Sequence, residues 1–257
     1  MDRLTGEIAL ITGSAGGIGF TIAETFLREG AKVCLNDVNE TLLKQSAETL
    51  AKLFGSEQVT YYSGSVSKRE DVFSMVAHTV TTFGSLTVAV NNAGGGFGTP
   101  LSFEELTEED WDLVMGVNMK GTFLVSQAAV AVMKENKRGS IINLSSVTAN
   151  KGMKTVNAAY AASKGGIASF TRKLAYDVGQ YGIRVNAIAP GSIVSGERMK
   201  KLHDENAEFV RRFREELVIG FVGEPIDIAH AAVYLAANES RYMTGEVMEI
   251  NGGVYMG

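Results

Sequence analysis

Short, apolar, β-branched runs alternate with longer helical stretches along the whole chain. The runs predict strands at 7–12, 32–36, 58–63, 86–91, 139–144, 183–188 and 246–250. The stretches between them predict helices at about 18–29, 40–54, 69–83, 108–136, 158–180, 198–218 and 225–237, the fourth of them bending near Gly121. Such alternation predicts a parallel sheet, because each strand needs a crossover to return, and the crossover helices then cover both faces. Right-handed crossovers make the sheet doubly wound. The expected fold class is therefore α/β, a single domain over 1–257 with about seven parallel strands and helices on both faces. No composition shift, repeat or low-complexity tract marks a second domain. Pro100, Pro190 and Pro225 fall in loops or at a helix start, where a missing N–H does little harm.

The junction after the first strand narrows the picture. Residues 12–19 read Thr-Gly-Ser-Ala-Gly-Gly-Ile-Gly, between Ile8-Ala9-Leu10-Ile11 and the helix that begins at Ile18. In a dinucleotide-binding (Rossmann-type) turn, Gly13 makes the tight bend, Gly17 lets a pyrophosphate approach the backbone, and Gly19 lets helix and strand pack closely. The helix N-terminus adds unpaired N–H groups and a positive dipole end. Asp37 closes the second strand, 18 residues past Gly19. A carboxylate there accepts hydrogen bonds from ribose hydroxyls and repels a 2′-phosphate. No Arg or Lys stands at 14–16 or 36–38 to neutralise one, which favours NAD over NADP. The plainer alternative is a solvated Asp that opens a turn before the next helix.

Composition excludes several classes. The chain has 257 residues, 45% hydrophobic and 21% charged, which is globular. A net charge of −5 gives no electrostatic case for nucleic acid. No apolar run approaches a membrane span and no signal peptide precedes the first strand, so a cytoplasmic location is expected. The single Cys34 lies in a strand and is expected to be buried. With three histidines and one cysteine, no metal site is expected.

Ligands of such a sheet bind beyond the carboxyl ends of its strands. Three of those ends carry small and polar residues: Asn91-Asn92-Ala93-Gly94, Asn143-Leu144-Ser145-Ser146, and Asn186 through Pro190-Gly191. Turn chemistry alone accounts for one such ending better than for three. The helix from Ala158 carries Tyr160 and Lys164 at i and i+4, on one face. Of the eight tyrosines, Tyr160 is the one with a lysine four residues on.

On these motifs, in this order, the chain from about Leu4 to Gly253 resembles the short-chain dehydrogenase/reductase family. The likeness adds Asn118 in Val117-Asn118-Met119-Lys120-Gly121, and the closing Thr244-Gly245 and Asn251-Gly252-Gly253. It implies a catalytic set of Asn118, Ser146, Tyr160 and Lys164. Tyr160 would exchange a proton with an alcohol or ketone, its phenol acidified by the Lys164 ammonium and a cationic nicotinamide. Ser146, chosen over Ser145 because Val147 follows it, would hold the substrate oxygen. Lys164 would also grip the nicotinamide ribose, and Asn118 would hold a water leading to solvent. The cofactor contacts implied are Gly13, Ser14, Gly17, Ile18, Gly19, Asp37, Ser65, Val66, Asn91, Ala93, Gly94, Tyr160, Lys164, Pro190, Gly191, Ile193 and Ser195. Asn91 and Gly94 would line the adenosine side, and Ile193 with Ser195 the carboxamide. A homotetramer is also implied, with helices 108–136 and 158–180 at an interface where Ala161, Ala162, Gly165, Gly166 and Ala168 allow close packing.

Four positions depart from the family pattern. Gly64-Ser65-Val66 lacks the usual Asp after strand three, and Thr87 replaces the usual Asp before strand four, which questions support of the adenine pocket. Ser146 and Tyr160 stand 14 apart, one more than usual, and Ser195 replaces Thr. Gly95–Pro100, Val147–Ala159 and a charged lid at about 194–222 are expected to wall the substrate pocket. Met153, Val156, Met199 and Phe221 are available for apolar contacts there. The leading function is an NAD(H)-dependent oxidoreductase that interconverts a secondary alcohol and a ketone, with a small-molecule substrate and neither nucleic acid nor membrane as partner. A 3-oxoacyl-(acyl carrier protein) reductase and a non-catalytic dinucleotide-binding regulator are the alternatives.

Overall fold

The computed structural model describes residues 2–195 and 217–257. The helix expected at 198–218, Met199, and most of the expected lid lie outside the described residues. Seven strands form one sheet: β1 (Ile8–Thr12), β2 (Lys32–Asp37), β3 (Val59–Ser63), β4 (Val88–Asn91), β5 (Gly139–Leu144), β6 (Ile183–Pro190) and β7 (Val247–Ile250). Their order is β3-β2-β1-β4-β5-β6-β7, with every pairing parallel. The order reverses at β1, which pairs with β2 on one side and β4 on the other. Connections leaving those two strands part to opposite faces, and a crevice opens beyond their carboxyl ends.

Neighbouring side chains on each strand point to opposite faces, and both faces are covered. Ala9, Ile11, Val33 and Leu35 lie in a core with Ile22 and Phe26 of α1 (Gly17–Arg28), Leu43 and Leu50 of α2 (Glu40–Phe54), and Ile228 of α7 (Pro225–Ala236). Leu10, Cys34 and Ala89 pack on the other face against Val72 and Met75 of α3 (Arg69–Phe83) and Leu124 and Met133 of α5 (Gly121–Asn136). Double-sided burial is why these strands read as unbroken apolar runs. Cys34 is fully buried as expected, and burial pushes its thiol up to about 12, so it is not a nucleophile. Among the described residues no helix is long and apolar enough to cross a membrane.

The long helix expected at 108–136 is present and continuous, with one irregularity. It comprises α4 (Glu108–Met115), a π turn at Gly116–Lys120, and α5. The irregularity lies just before Gly121, where the bend was expected. Gly121 itself serves close approach: a Cβ there would lie 2.7 Å from Val66 Cγ2.

Two sequence expectations are corrected by the sheet. Asn91, Asn143 and Asn186 do not decorate the open edge; their side chains are interior ties. Asn91 Nδ2 donates to Ser126 Oγ (2.9 Å) and Asn143 Oδ1 (2.7 Å), and Asn143 Nδ2 donates to Thr171 Oγ1 (2.8 Å). Asn186 holds Met243 O and the Glu246 N–H, because β6 runs on to Pro190 and leaves Asn186 in mid-strand. Thr87 sits at the amino-terminal end of β4, where its hydroxyl accepts from Ile8 N (2.9 Å) and donates to Glu7 (2.6 Å), itself paired with Arg138. That is the edge remote from the crevice, so Thr87 bears on the sheet and not on an adenine pocket.

The asparagine ties are a stability element. Asn143→Ala leaves Asn91 Nδ2 and Thr171 Oγ1 short of partners inside the core, and is expected to lower unfolding free energy by about 1–3 kcal/mol for each group left unsatisfied. Urea unfolding with an unchanged m-value checks it.

Candidate active site

The crevice begins with a knot between the first glycine turn and the end of β4. Thr12 Oγ1 donates to Val90 O (3.2 Å) and accepts from the N–H groups of Asn92 and Ala93 (both 3.1 Å). Asn92 Nδ2 donates to Thr12 O (2.9 Å) and Gly13 O (2.8 Å). Gly13 has φ +63°, and a Cβ on it would lie 2.8 Å from Ala93 Cα. A Cβ on Gly19 would lie 2.3 Å from Gly13 O and 2.5 Å from Asn92 Nδ2, so this glycine packs its helix onto the turn itself. Gly16 caps α1 without a side-chain bond, and no acidic residue stands in the first turn. Gly13, Gly16, Gly17 and Ile18 line the cleft, so a helix start free of negative charge faces it.

Other expected cofactor contacts are more dispersed. Ser14 is buried: its hydroxyl donates to Ile11 O (2.8 Å) and accepts from Asn36 N (3.0 Å), tying β1 to β2. Asp37 is half-buried beside the glycine turn and accepts from Ala15 N (3.3 Å) and Asn39 N (3.0 Å), so it holds the turn. At the end of β3, Ser65 N donates to Asp71 Oδ2 (2.8 Å). A carboxylate is therefore present here, brought by α3 and not by the strand. Val66 is buried against Gly121. Asn91 turns into the sheet and is not on the cleft wall, and Ala93 packs on Gly13. Gly94 does line the cleft, and a Cβ there would lie 2.7 Å from Asn118 Oδ1.

The side chains expected to be catalytic lie just past the end of β5, in the π turn and on α6 (Ala158–Val178). Asn157 caps α6, accepting from Tyr160 N at 2.9 Å. One turn on, Lys164 is buried and its Nζ donates to Leu144 O (2.6 Å), while Ser145 Oγ returns a bond to Lys164 O (2.9 Å). Ser145 is thereby committed to the helix backbone, while Ser146 Oγ accepts from Thr148 N (3.2 Å) and lines the cleft together with Tyr160. The 14-residue spacing between Ser146 and Tyr160 is spanned by a short 3₁₀ turn, Val147–Ala149, and a loop, and both residues still line the same cleft. Asn118 lies in the π turn with its side chain fully used. Oδ1 accepts from Gly95 N (2.9 Å), and Nδ2 donates to Ser163 Oγ (2.9 Å) and Gly95 O (3.2 Å).

Electrostatics here follow burial. Loss of solvent pushes the Tyr160 phenol up, and the Ser146 hydroxyl opposes this. Burial also pushes the Lys164 ammonium down, to about 8, with Nζ 5.6 Å from the Tyr160 ring centroid. Desolvation therefore sets the direction for both groups, favouring the neutral phenol and the neutral amine.

The cleft measures about 1140 Å³, more than one small ligand needs. Residues 94–101, 145–148 and 153–157 wall it, together with Pro190, Gly191, Ile193 and Ser195. Two of the three expected walls are therefore present, including Met153 and Val156, and Ser195 represents the third. Phe221 is exposed and not on the wall. Sequence reading passed over Asn92 and Asn157. Asn92 stood inside a motif already quoted, and Asn157 carried the N-cap signal three residues before Tyr160 N.

Residues 13–255 match a family model described as enoyl-(acyl carrier protein) reductase. The chain is 39% identical over 256 residues to 2-(S)-hydroxypropyl-CoM dehydrogenase 3 of Xanthobacter autotrophicus, covering 98% of each. It is 36% identical over 255 residues to a 3-oxoacyl-(acyl-carrier-protein) reductase of Thermotoga maritima, covering 98% of this chain and 99% of the relative. A crystal structure described as a provisionally assigned gluconate dehydrogenase from Agrobacterium tumefaciens superposes with a TM-score of 0.89, at 29% identity, over 98% of this chain and 96% of that one.

Lys164 makes stability depend on pH in a predictable direction. Between about 8, its value when folded, and its ordinary 10.5, the unfolded chain binds more protons, so stability rises with pH there. In the cofactor-free protein the deficit relative to Lys164→Met is expected to shrink by about 2 kcal/mol from pH 7.5 to 9.5. Paired urea titrations of the two proteins across that range measure it.

Proposed function

The chain belongs to the short-chain dehydrogenase/reductase family, and from that premise we propose that it is an NAD(H)-dependent oxidoreductase that interconverts a secondary alcohol and a ketone. Oxidoreductase chemistry with a nicotinamide dinucleotide is common to the family. The observation that carries the finer reading is the meeting of Ser146, Tyr160 and Lys164 on the cleft wall, downstream of an uncapped, acid-free helix start.

The residues fit a dinucleotide. Gly13 is held where any Cβ collides with Ala93, and Gly17, at φ +56°, lies on the same cleft wall, so backbone stands where a pyrophosphate needs it. When bound, the nicotinamide accepts or donates the hydride. Asp37 would take the ribose hydroxyls and disfavour a 2′-phosphate. Ser146 would hold the substrate oxygen beside the phenol, and Tyr160 would take the alcohol proton during oxidation or return it to the carbonyl during reduction. Lys164, charged below about pH 8, would stabilise the phenolate that oxidation needs at its start and reduction leaves at its end. Ile193, bridged to Gly223, and Ser195 would face the carboxamide.

The rest of the reading is a one-domain enzyme, cytoplasmic, closed by a lid over 194–222 and assembled as a homotetramer. Apolar side chains exposed on α4 and α5 support the assembly: Trp111, Leu113 and Phe123, the last edge-on to Phe170 of α6. The 3-oxoacyl reductase reading draws on the Thermotoga relative. Rates with NADH against NADPH separate it from the leading one.

Two outcomes are expected. Tyr160→Phe lowers turnover by about 10²–10⁴-fold while the dinucleotide dissociation constant, read by nicotinamide fluorescence, stays within about twofold. Asp37→Ala raises the KM for NAD about tenfold and improves use of NADP relative to NAD; an unaltered preference removes Asp37 from the ribose site.

A further inference from the structure

Resting on the dehydrogenase reading of the cleft, we propose that Asn157 is a positioning residue that holds the Tyr160 backbone and the substrate-side loop 95–101 as one unit. Its side chain is 4% exposed and bonds in two directions. Oδ1 accepts from the Tyr160 N–H (2.9 Å). Nδ2 donates to Thr99 Oγ1 (2.6 Å) and Pro100 O (3.1 Å). The first bond belongs to the helix that carries the phenol, and the others to the loop opposite it on the cleft wall.

A second path closes the frame. The Tyr160 carbonyl accepts from Ser163 Oγ (2.7 Å), and that hydroxyl accepts from Asn118 Nδ2 (2.9 Å). Asn118 in turn pairs with Gly95 through both N–H and C=O. Thus both backbone polar groups of Tyr160 lead through side chains to the two ends of the loop, Gly95 on one side and Thr99-Pro100 on the other. Within the loop, Thr99 Oγ1 donates to Gly96 O (2.7 Å), and Phe97 is held at φ +53°, a conformation costly for a non-glycine residue. An N-cap alone needs only the acceptor oxygen. The amide nitrogen of Asn157 does work on the substrate wall that a Ser or Asp cap would not do.

Asn157→Asp separates the two tasks, since a carboxylate keeps the cap and loses both donors. Thr99→Val removes one loop partner and leaves the cap alone. In both variants hydrogen exchange of the 95–101 backbone is expected to accelerate while the first turn of α6 stays protected. With a turned-over alcohol, its KM is expected to rise about tenfold, with the KM for dinucleotide within about twofold. Asn157→Ala, which loses the cap too, is expected to lower kcat as well. Unchanged loop exchange in both variants overturns the proposal, and so does an equal loss of dinucleotide and alcohol affinity. A wild-type protein that turns over no alcohol or ketone with either dinucleotide sinks the dehydrogenase reading instead, and the exchange comparison still decides the clamp.

Discussion

The structure depends on a reciprocal clasp between β5 and α6. Lys164 Nζ reaches the carbonyl of Leu144, and Ser145 reaches back to the carbonyl of Lys164. The clasp fixes the helix against the strand end, which puts Tyr160 one turn away opposite Ser146. It also buries an ammonium, at a cost seen in the downward shift of Lys164. A well-packed apolar side chain would stabilise this junction more, as buried charges generally do less for stability than hydrophobic replacements. Retaining the charge fits the proposed role of Lys164 beside a Tyr160 phenolate.

A second constraint is steric. The glycine turn and the Asn92 side chain interpenetrate so closely that Gly13 and Gly19 each lack room for a methyl group. Thr12 and Asn92 satisfy the polar groups that this close approach would strand. The outcome is a rigid stretch of backbone at the helix start, presented at the point where the sheet order reverses. Both the steric knot and the clasp sit at carboxyl ends of neighbouring strands, so the parallel sheet brings them to one cleft.

Burial shapes the electrostatics of this cleft. The phenol is pushed up and the ammonium down, which favours the neutral form of each. A cationic ring beside them would add the charge that desolvation withholds. The Asn157 frame adds a mechanical link, because it couples the wall that meets substrate to the residue that would exchange the proton.

Sequence alone determined the seven strands, the parallel doubly wound class and the location of the glycine turn. Local apolar runs and glycines encode these directly, through double-sided burial and permitted φ angles. It also placed Tyr160 and Lys164 on one helix face, since i, i+4 spacing on a helix is a local rule, while Ser146 joined them only through the resemblance to the family. The tertiary structure decided what each polar side chain faces. Asn91, Asn143 and Asn186 read as edge residues and turned inward, because a strand's residue order does not reveal which neighbour satisfies a buried amide. Thr87 fell at the remote edge, and the carboxylate near Ser65 came from Asp71 on another element. The pKa directions likewise depended on burial, a property of packing across 20 or more residues of separation, as between Leu144 and Lys164. Hydrogen-bond partners and desolvation are set by contacts between distant segments, and so they become readable only when the chain is folded.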